Sequence, residues 1–270
     1  MRLRSIVSIG VAGAGLDDAL GSQADAVLLT LADASRPLDT LRREVTAALG
    51  RTATHEASAL VAVNHPRTRL LRDDLDAILS PLVKGVFLPH AVEPQDVRDL
   101  AVLLREFELQ RGIEPGDIAV FPVIDTARGL LKAAEIAAAA PRVGGLVFHS
   151  HRYSSDIGAR DEQKGDRLAY ARGQVVAVSR ALGQSPLVVC DGIELVYLAQ
   201  YGFAGAILPG DRMVPAANAA FAPPATVIDH ARDAAAAYDA ARAEGAWVAR
   251  VADQVIDAAA ARKARHLLGE

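Results

Sequence analysis

Cysteine occurs once in the 270 residues, at Cys190. A chain this poor in thiols has no disulfide framework, and it fits a reducing cytosol. Long hydrophobic runs are missing too. Nothing approaches the ~20 apolar residues of a membrane span. The opening MRLRSIVSIG has two arginines but too short an apolar run for a secretory signal. Neither sign of charge dominates: 29 Lys and Arg stand against 33 Asp and Glu, a formal net charge of −4, interspersed along the chain. A nucleic-acid surface would be basic and patchy, so neither nucleic acid nor membrane is expected as a partner, and the cytoplasm is the expected location. There is no G-x-S-x-G nucleophile elbow and no P-loop. GVAGAG at 10–15 is too loosely spaced for a dinucleotide-binding turn, and no acidic residue closes the next strand. Cys190 itself is most simply a small hydrophobe.

What the chain does have is apolar sequence, 51% of its residues, cut into a regular pattern. Eight short Val/Ile/Leu-rich runs occur at 5–11, 26–31, 60–64, 85–90, 118–125, 144–150, 186–191 and 204–209. They are continuously apolar rather than alternating, as parallel strands covered on both faces require. Helical patterns lie between most of them, including LDTLRREVTAAL, PQDVRDLAVLLREFELQRG and RLAYARGQVVAVSRALG, and Gly follows several of these as a C-cap. Eight β-then-α units in this length predict an α/β fold, a (β/α)8 TIM barrel over 1–215. From Ala216 the chain turns Ala-rich, and 216–270 is expected to be a helical extension packed on the barrel or on a neighbouring subunit.

Barrel chemistry is read at the carboxyl ends of the strands. There stand Thr30, Asp33, Asn64, His65, His90, Asp125, His149, His151, Arg152, Asp191, Asp211 and Arg212. Four of the seven histidines fall on this rim. Any one of these residues could be a loop cap, but burying the cluster unpaired would cost several kcal/mol. The Schiff-base lysine of some barrel aldolases has no counterpart, since Lys84 precedes its strand and Lys132 and Lys164 lie on helix or loop. Arg160 and Arg167 lie in a charged stretch at 158–173 that reads as an exposed loop entering a helix.

The block FPVIDTARGLLKAAEIAAAAPRVGGLVFHSHRYSSDIGA resembles the central block of the citrate lyase β-subunit-like proteins of the HpcH/HpaI aldolase superfamily. ADAVLLTLADAS, LVAVNH, FLPHAVEP and GFAGAILPGDRMVPAANAAFAPP parallel further family segments, so the resemblance runs over roughly 24–224. It implies a TIM barrel assembled as a homo-oligomer, often a trimer. It also implies Mg²⁺-assisted carbon–carbon cleavage or condensation on a 3-hydroxy acid or its CoA thioester, with the metal stabilising an enolate. A small-molecule carboxylate or CoA thioester is then the implied partner.

Carried over residue by residue, the resemblance shows a rebuilt rim. Asp125 stands for the family's metal-binding Glu, and Arg152 stands for its second metal-binding carboxylate. His151 and His149 replace a Glu and a Gly, Ala62 replaces a substrate-binding Arg, and His90 replaces a Lys. Thr30 and Ala32 replace acidic residues, with Asp33 kept. Thr126, Ala127, Arg128, Gly129, Asn64 and Asn218 are retained. Two readings stay open. In one, Arg152 pairs with Asp125 and takes over the charge of Mg²⁺. In the other, Asp125, His149 and His151 hold a divalent metal better suited to imidazole, the two histidines sharing one side of a strand. Without a metal, His90 or His151 could act as general base. The candidate catalytic residues are therefore His90, Asp125, His151 and Arg152. The candidate substrate-binding residues are Asn64, Arg128, His149, Asp191, Asp211 and Arg212. A carbon–carbon lyase of aldol or Claisen type is the expected function. The rival is a non-catalytic homologue that binds an acyl-CoA or carboxylate, or serves as a subunit of a larger complex.

Overall fold

The computed structural model describes the chain apart from residues 2, 11–14, 33–34, 160–166, 191, 193, 224 and 269–270 and the side chain of residue 266. Asp33, Asp191, Arg160 and Lys164 thus lie outside the described residues. In chain order come β1 (Ser5–Ser8), α1 (Leu16–Gly21), β2 (Ala26–Thr30), α2 (Leu38–Thr52), β3 (Ser58–Ala62) and α3 (Leu71–Ile78). Then follow β4 (Val83–Leu88), α4 (Pro94–Gln110), β5 (Ala119–Ile124), α5 (Ala127–Leu131), α6 (Ala133–Ala137) and β6 (Val147–Phe148). The barrel is completed by α7 (Ser150–Asp156), α8 (Ala169–Ala181), β7 (Leu187–Val189), α9 (Leu195–Tyr201), β8 (Gly205–Leu208) and α10 (Val214–Ala220). Each strand pairs with the next, and β8 returns to pair in parallel with β1, so the sheet closes into a barrel of eight. This is the (β/α)8 TIM barrel expected from the eight apolar runs. No helix among the described residues is long and apolar enough to cross a membrane.

The apolar runs fill two layers because each strand is buried on both faces. Leu28, Leu60, Phe87, Phe121, Val147, Leu187 and Ile207 pack inside the barrel. Their neighbours along the strands, such as Val27, Val61, Val86, Val120 and Phe148, pack outward against the helices. Inside, Phe87 packs against Phe121, ring centroids 5.2 Å apart. Space for it comes from Gly85, where a Cβ would stand 2.7 Å from the Phe121 ring.

Two elements differ from their sequence expectation. The run 144–150 forms a strand at Val147–Phe148, with Val143 bridging to Val120. Gly145 presses against the neighbouring chain so closely that a Cβ would lie 1.8 Å from the Ser185 carbonyl oxygen. After Phe148 the chain turns into α7 instead of extending to His149 and Ser150.

The second difference is in the C-terminal part. Contacts divide the chain into Met1–Phe221 and Ala222–Glu270, so α10 belongs with the barrel, past the expected boundary at 215. Asn218 of α10 accepts a hydrogen bond from Ser5 of β1 at 2.8 Å, which ties it there. The second unit holds α11 (Ala225–Ala243), β9 (Ala249–Val251), β10 (Gln254–Ile256) and α12 (Ala258–Leu268). It is not all helix: β9 and β10 form an antiparallel hairpin, with Ala252 turning at φ 49°. Its own core is built from Ala231, Ala234, Ala235, Tyr238, Ile256, Ala261 and Ala264.

Candidate active site at the carboxyl ends of the strands

The site is built around β5. Phe121 and Val123 point into the barrel, and the two-residue strand period carries Asp125 to the same inner face just beyond the strand end. Its carboxylate is buried at 1% exposure. The flanking segments are held to β5 by the sheet ladder. His149 N donates to Ile124 O at 3.1 Å on one side, and Ala91 N donates to Val123 O at 3.2 Å on the other. His90 therefore sits against Asp125 from the β4 side. It stands at φ 55°, in the left-handed region that histidine enters more readily than most residues. His90 Nδ1 lies 2.9 Å from Asp125 Oδ2. From the β6 side, Arg152 Nη1 lies 3.6 Å from the same oxygen. Both carboxylate oxygens are nonetheless buried without a donor in good hydrogen-bond geometry. The His90 contact is thus close but off-line, short of an aligned hydrogen bond.

The imidazoles divide by environment. Contact with Asp125 raises the His90 pKa above its ordinary 6.5, against partial burial and the nearby Arg152. Burial, helped by Arg152, lowers that of His149. Burial also lowers that of His65, outweighing its neighbour Asp96. His149 caps α7, its Nδ1 accepting from Arg152 N at 3.5 Å. In the neutral ring that leaves the proton on Nε2.

Other expected residues are placed differently. His151 is exposed on α7, two residues after His149, and residues i and i+2 of a helix do not face each other. The shared strand face expected for His149 and His151 is therefore absent, because the chain has already turned helical. Among the described residues, no three of His, Cys, Asp and Glu are grouped to hold a metal ion. Asn64 is committed to structure: its N and Nδ2 donate to Asp74 Oδ2 at 3.0 and 2.8 Å, and Nδ2 also reaches Leu31 O. Arg128 is exposed and pairs with Glu93. Asp211 and Arg212 form a single 3-10 turn after β8, across the barrel mouth from β4. Thr30 caps locally, accepting from Ala32 N, and Cys190 is half-buried after β7.

A charged ladder beside the site escaped sequence reasoning. Asp96, 2% exposed, accepts from Val92 N, Glu93 N and Arg67 Nη2 and lies 3.5 Å from His65 Nε2. Its visible signal was the capping box with Pro94 at the start of α4. A cavity of about 1060 Å³ lies at the opposite end of the barrel, lined by residues such as Arg4, Asp25, His55 and Lys84. Arg4 and Asp25 pair there, and Lys84 bonds Pro81 O.

A closed parallel barrel with a buried carboxylate and cationic side chains at its carboxyl-end mouth is the arrangement of a (β/α)8 barrel enzyme. The chain belongs to the HpcH/HpaI aldolase/citrate lyase family, whose model matches residues 10–193. It is 28% identical over 256 residues to the citrate lyase subunit beta of Escherichia coli strain K12, covering 91% of this chain and 85% of that protein. To a (3S)-malyl-CoA thioesterase of Cereibacter sphaeroides it is 27% identical over 269 residues, covering 94% and 89%. Among solved structures, protein CitE of Mycobacterium tuberculosis in complex with magnesium, acetoacetate and coenzyme A aligns with a TM-score of 0.68 at 22% identity, over 99% of this chain and 100% of that one. A citrate lyase of Burkholderia xenovorans LB400 aligns with a TM-score of 0.74 at 18% identity, over 98% and 90%. These structures share the barrel fold.

Magnesium accompanies that CitE, but the donor set described here does not suit it. Mg²⁺ wants octahedral oxygen ligands and keeps several waters. Here one carboxylate, buried on both oxygens, already faces the Arg152 guanidinium and the His90 ring.

Proposed function

We propose that this chain is a carbon–carbon lyase of aldol or Claisen type, acting on a 3-hydroxy acid or its CoA thioester. The carrying observation is the His90–Asp125 contact of 2.9 Å beside Arg152. With Nδ1 turned to Asp125, His90 keeps Nε2 for the substrate, and its side chain is 57% exposed. Neutral His90 takes the 3-hydroxyl proton on Nε2. The O–H electron pair becomes the new carbonyl, and the C2–C3 bond breaks. Its electron pair forms the enolate, whose oxygen charge is met by Arg152 and by the Nε2–H of His149. The proton then returns from His90 to C2, so the enzyme ends as it began. The names of the relatives, citrate lyase and malyl-CoA thioesterase, support a carboxylate or CoA-thioester substrate.

The test is to incubate the protein with (3S)-malyl-CoA and with 3-hydroxy acids such as citrate, following carbonyl product and free thiol separately. Carbonyl release that falls in His90→Gln supports the reading. Thiol release without a carbonyl product would instead mark thioester hydrolysis. Because His90 must be neutral to accept the proton, and Asp125 holds its pKa above the ordinary 6.5, turnover should fall as pH drops through that raised value. No turnover of any of these substrates would leave the non-catalytic reading standing.

A further inference from the structure

We infer that the Arg152 guanidinium is the resident cation of this site, filling the role of a divalent ion, and that the rim binds a carboxylate without metal. The inference rests on the same rim as the proposed function, but not on turnover. Three observations carry it. Asp125 Oδ2 is approached by His90 Nδ1 at 2.9 Å and by Arg152 Nη1 at 3.6 Å. A divalent ion bound to that carboxylate at about 2.0–2.1 Å would sit beside the permanent charge of the Arg152 guanidinium, and like charges repel. Both Asp125 oxygens are buried among the described residues.

Arg152, by contrast, is open. Its side chain is 45% exposed, and Asp125 is its ion-pair partner among the described residues. A guanidinium presents parallel N–H donors that match a carboxylate in two-point contact. The Arg152 and His90 side chains, 45% and 57% exposed, both present N–H groups to solvent beside one buried carboxylate. Such donors suit an oxygen pair, such as the carboxylate of a 2-oxo acid or 3-oxo acid.

The experiment uses the whole chain, stripped with chelator. Mn²⁺ is titrated and followed by its paramagnetic resonance signal, and oxaloacetate is titrated calorimetrically in excess EDTA. The expected results are no Mn²⁺ binding tighter than roughly millimolar, and oxaloacetate binding indifferent to EDTA. Arg152→Gln should weaken oxaloacetate at least tenfold, and Arg152→Asp should gain at least tenfold in Mn²⁺ affinity. Micromolar Mn²⁺ binding by the unaltered chain would overturn the inference. So would oxaloacetate binding that needs the metal, that is absent, or that Arg152→Gln leaves unchanged. If Arg152→Asp does not fold, the unaltered chain and Arg152→Gln still decide. A chain that binds oxaloacetate without metal yet turns over nothing would uphold this inference and refute the lyase reading.

Discussion

Gly129→Ala is the substitution whose effect the structure sets most directly. Gly129 lies in α5, four residues after Asp125, where the helix meets the turn carrying His90 and Ala91. A Cβ on Gly129 would stand 2.5 Å from the Ala91 carbonyl oxygen, about 0.9 Å inside ordinary van der Waals contact. Backbone must therefore move. Neither side is free to do so cheaply: α5 is held by Thr126, whose hydroxyl accepts from Gly129 N, and by Asp156, which accepts from Ala127 N. On the other side, Ala91 N is bonded to β5. Whichever side yields, His90 and Asp125 separate. Overpacking of this kind costs about 1–3 kcal/mol, a fall in Tm of roughly 2–12 °C for a domain of this size. A catalytic pair displaced toward 1 Å loses on the order of 10²-fold in rate. Scanning calorimetry, turnover and the His90 imidazole shift by NMR would read all three, the last moving back toward 6.5. Gly50→Ala is the control: it lies inside α2 with open space around it and should stabilise by about 0.5–1 kcal/mol. A Gly129→Ala protein with unchanged Tm and an unchanged His90 titration would refute the reasoning.

Two further outcomes concern stability. Glu108 at the end of α4 is fully buried, pairs with Arg142 through 2.7 and 2.9 Å contacts, and accepts from Gly116 N and Ile118 N. Arg142→Ala strands that charge and should cost about 3–5 kcal/mol in urea unfolding; a loss below about 1 kcal/mol would show that the backbone donors suffice alone. The second outcome is set by His149, whose folded pKa is depressed below 6.5. The unfolded chain binds that proton more readily, so this contribution is present above about pH 6.5 and is lost as pH falls through the folded value. His90, raised by Asp125, acts oppositely: its contribution is full below its unfolded value and is lost as pH rises through the folded one. Unfolding curves from about pH 5 to 8 should therefore show a steeper acid loss in the unaltered chain than in His149→Gln, and equal slopes would refute this.

Much of the fold was legible along the chain. Runs such as LVAVN and IAVFPVID are apolar at every position because parallel barrel strands have no solvent face, and that pattern survives reading one residue at a time. The retained TARG turn placed Asp125 at a strand end in the same way, and the Glu93–Pro94 start of α4 was readable as a cap. The end of β6 was not readable. HSHR carries no period that separates a strand from the first turn of a helix, and Gly145 gave no sign of how closely Ser185 would approach. Taking His149 and His151 as strand neighbours followed from that and gave the wrong shared face. The hairpin in the second unit was hidden similarly, by alanine-rich flanks that read as successive helices.

The sequence by itself determined the barrel, the family and the set of ionisable groups at its mouth, because local apolar patterning and motif order are properties of neighbouring residues. Tertiary structure alone decided which of those groups meet. His90 and Asp125 are far apart in the chain, and their contact exists because β4 and β5 lie side by side in one register. Arg152 reaches the same oxygen because α7 begins one residue after His149 pairs with Ile124. The Asp125 contact then raised the His90 pKa and burial lowered that of His149, since a carboxylate neighbour and desolvation act only once the chain has closed around them.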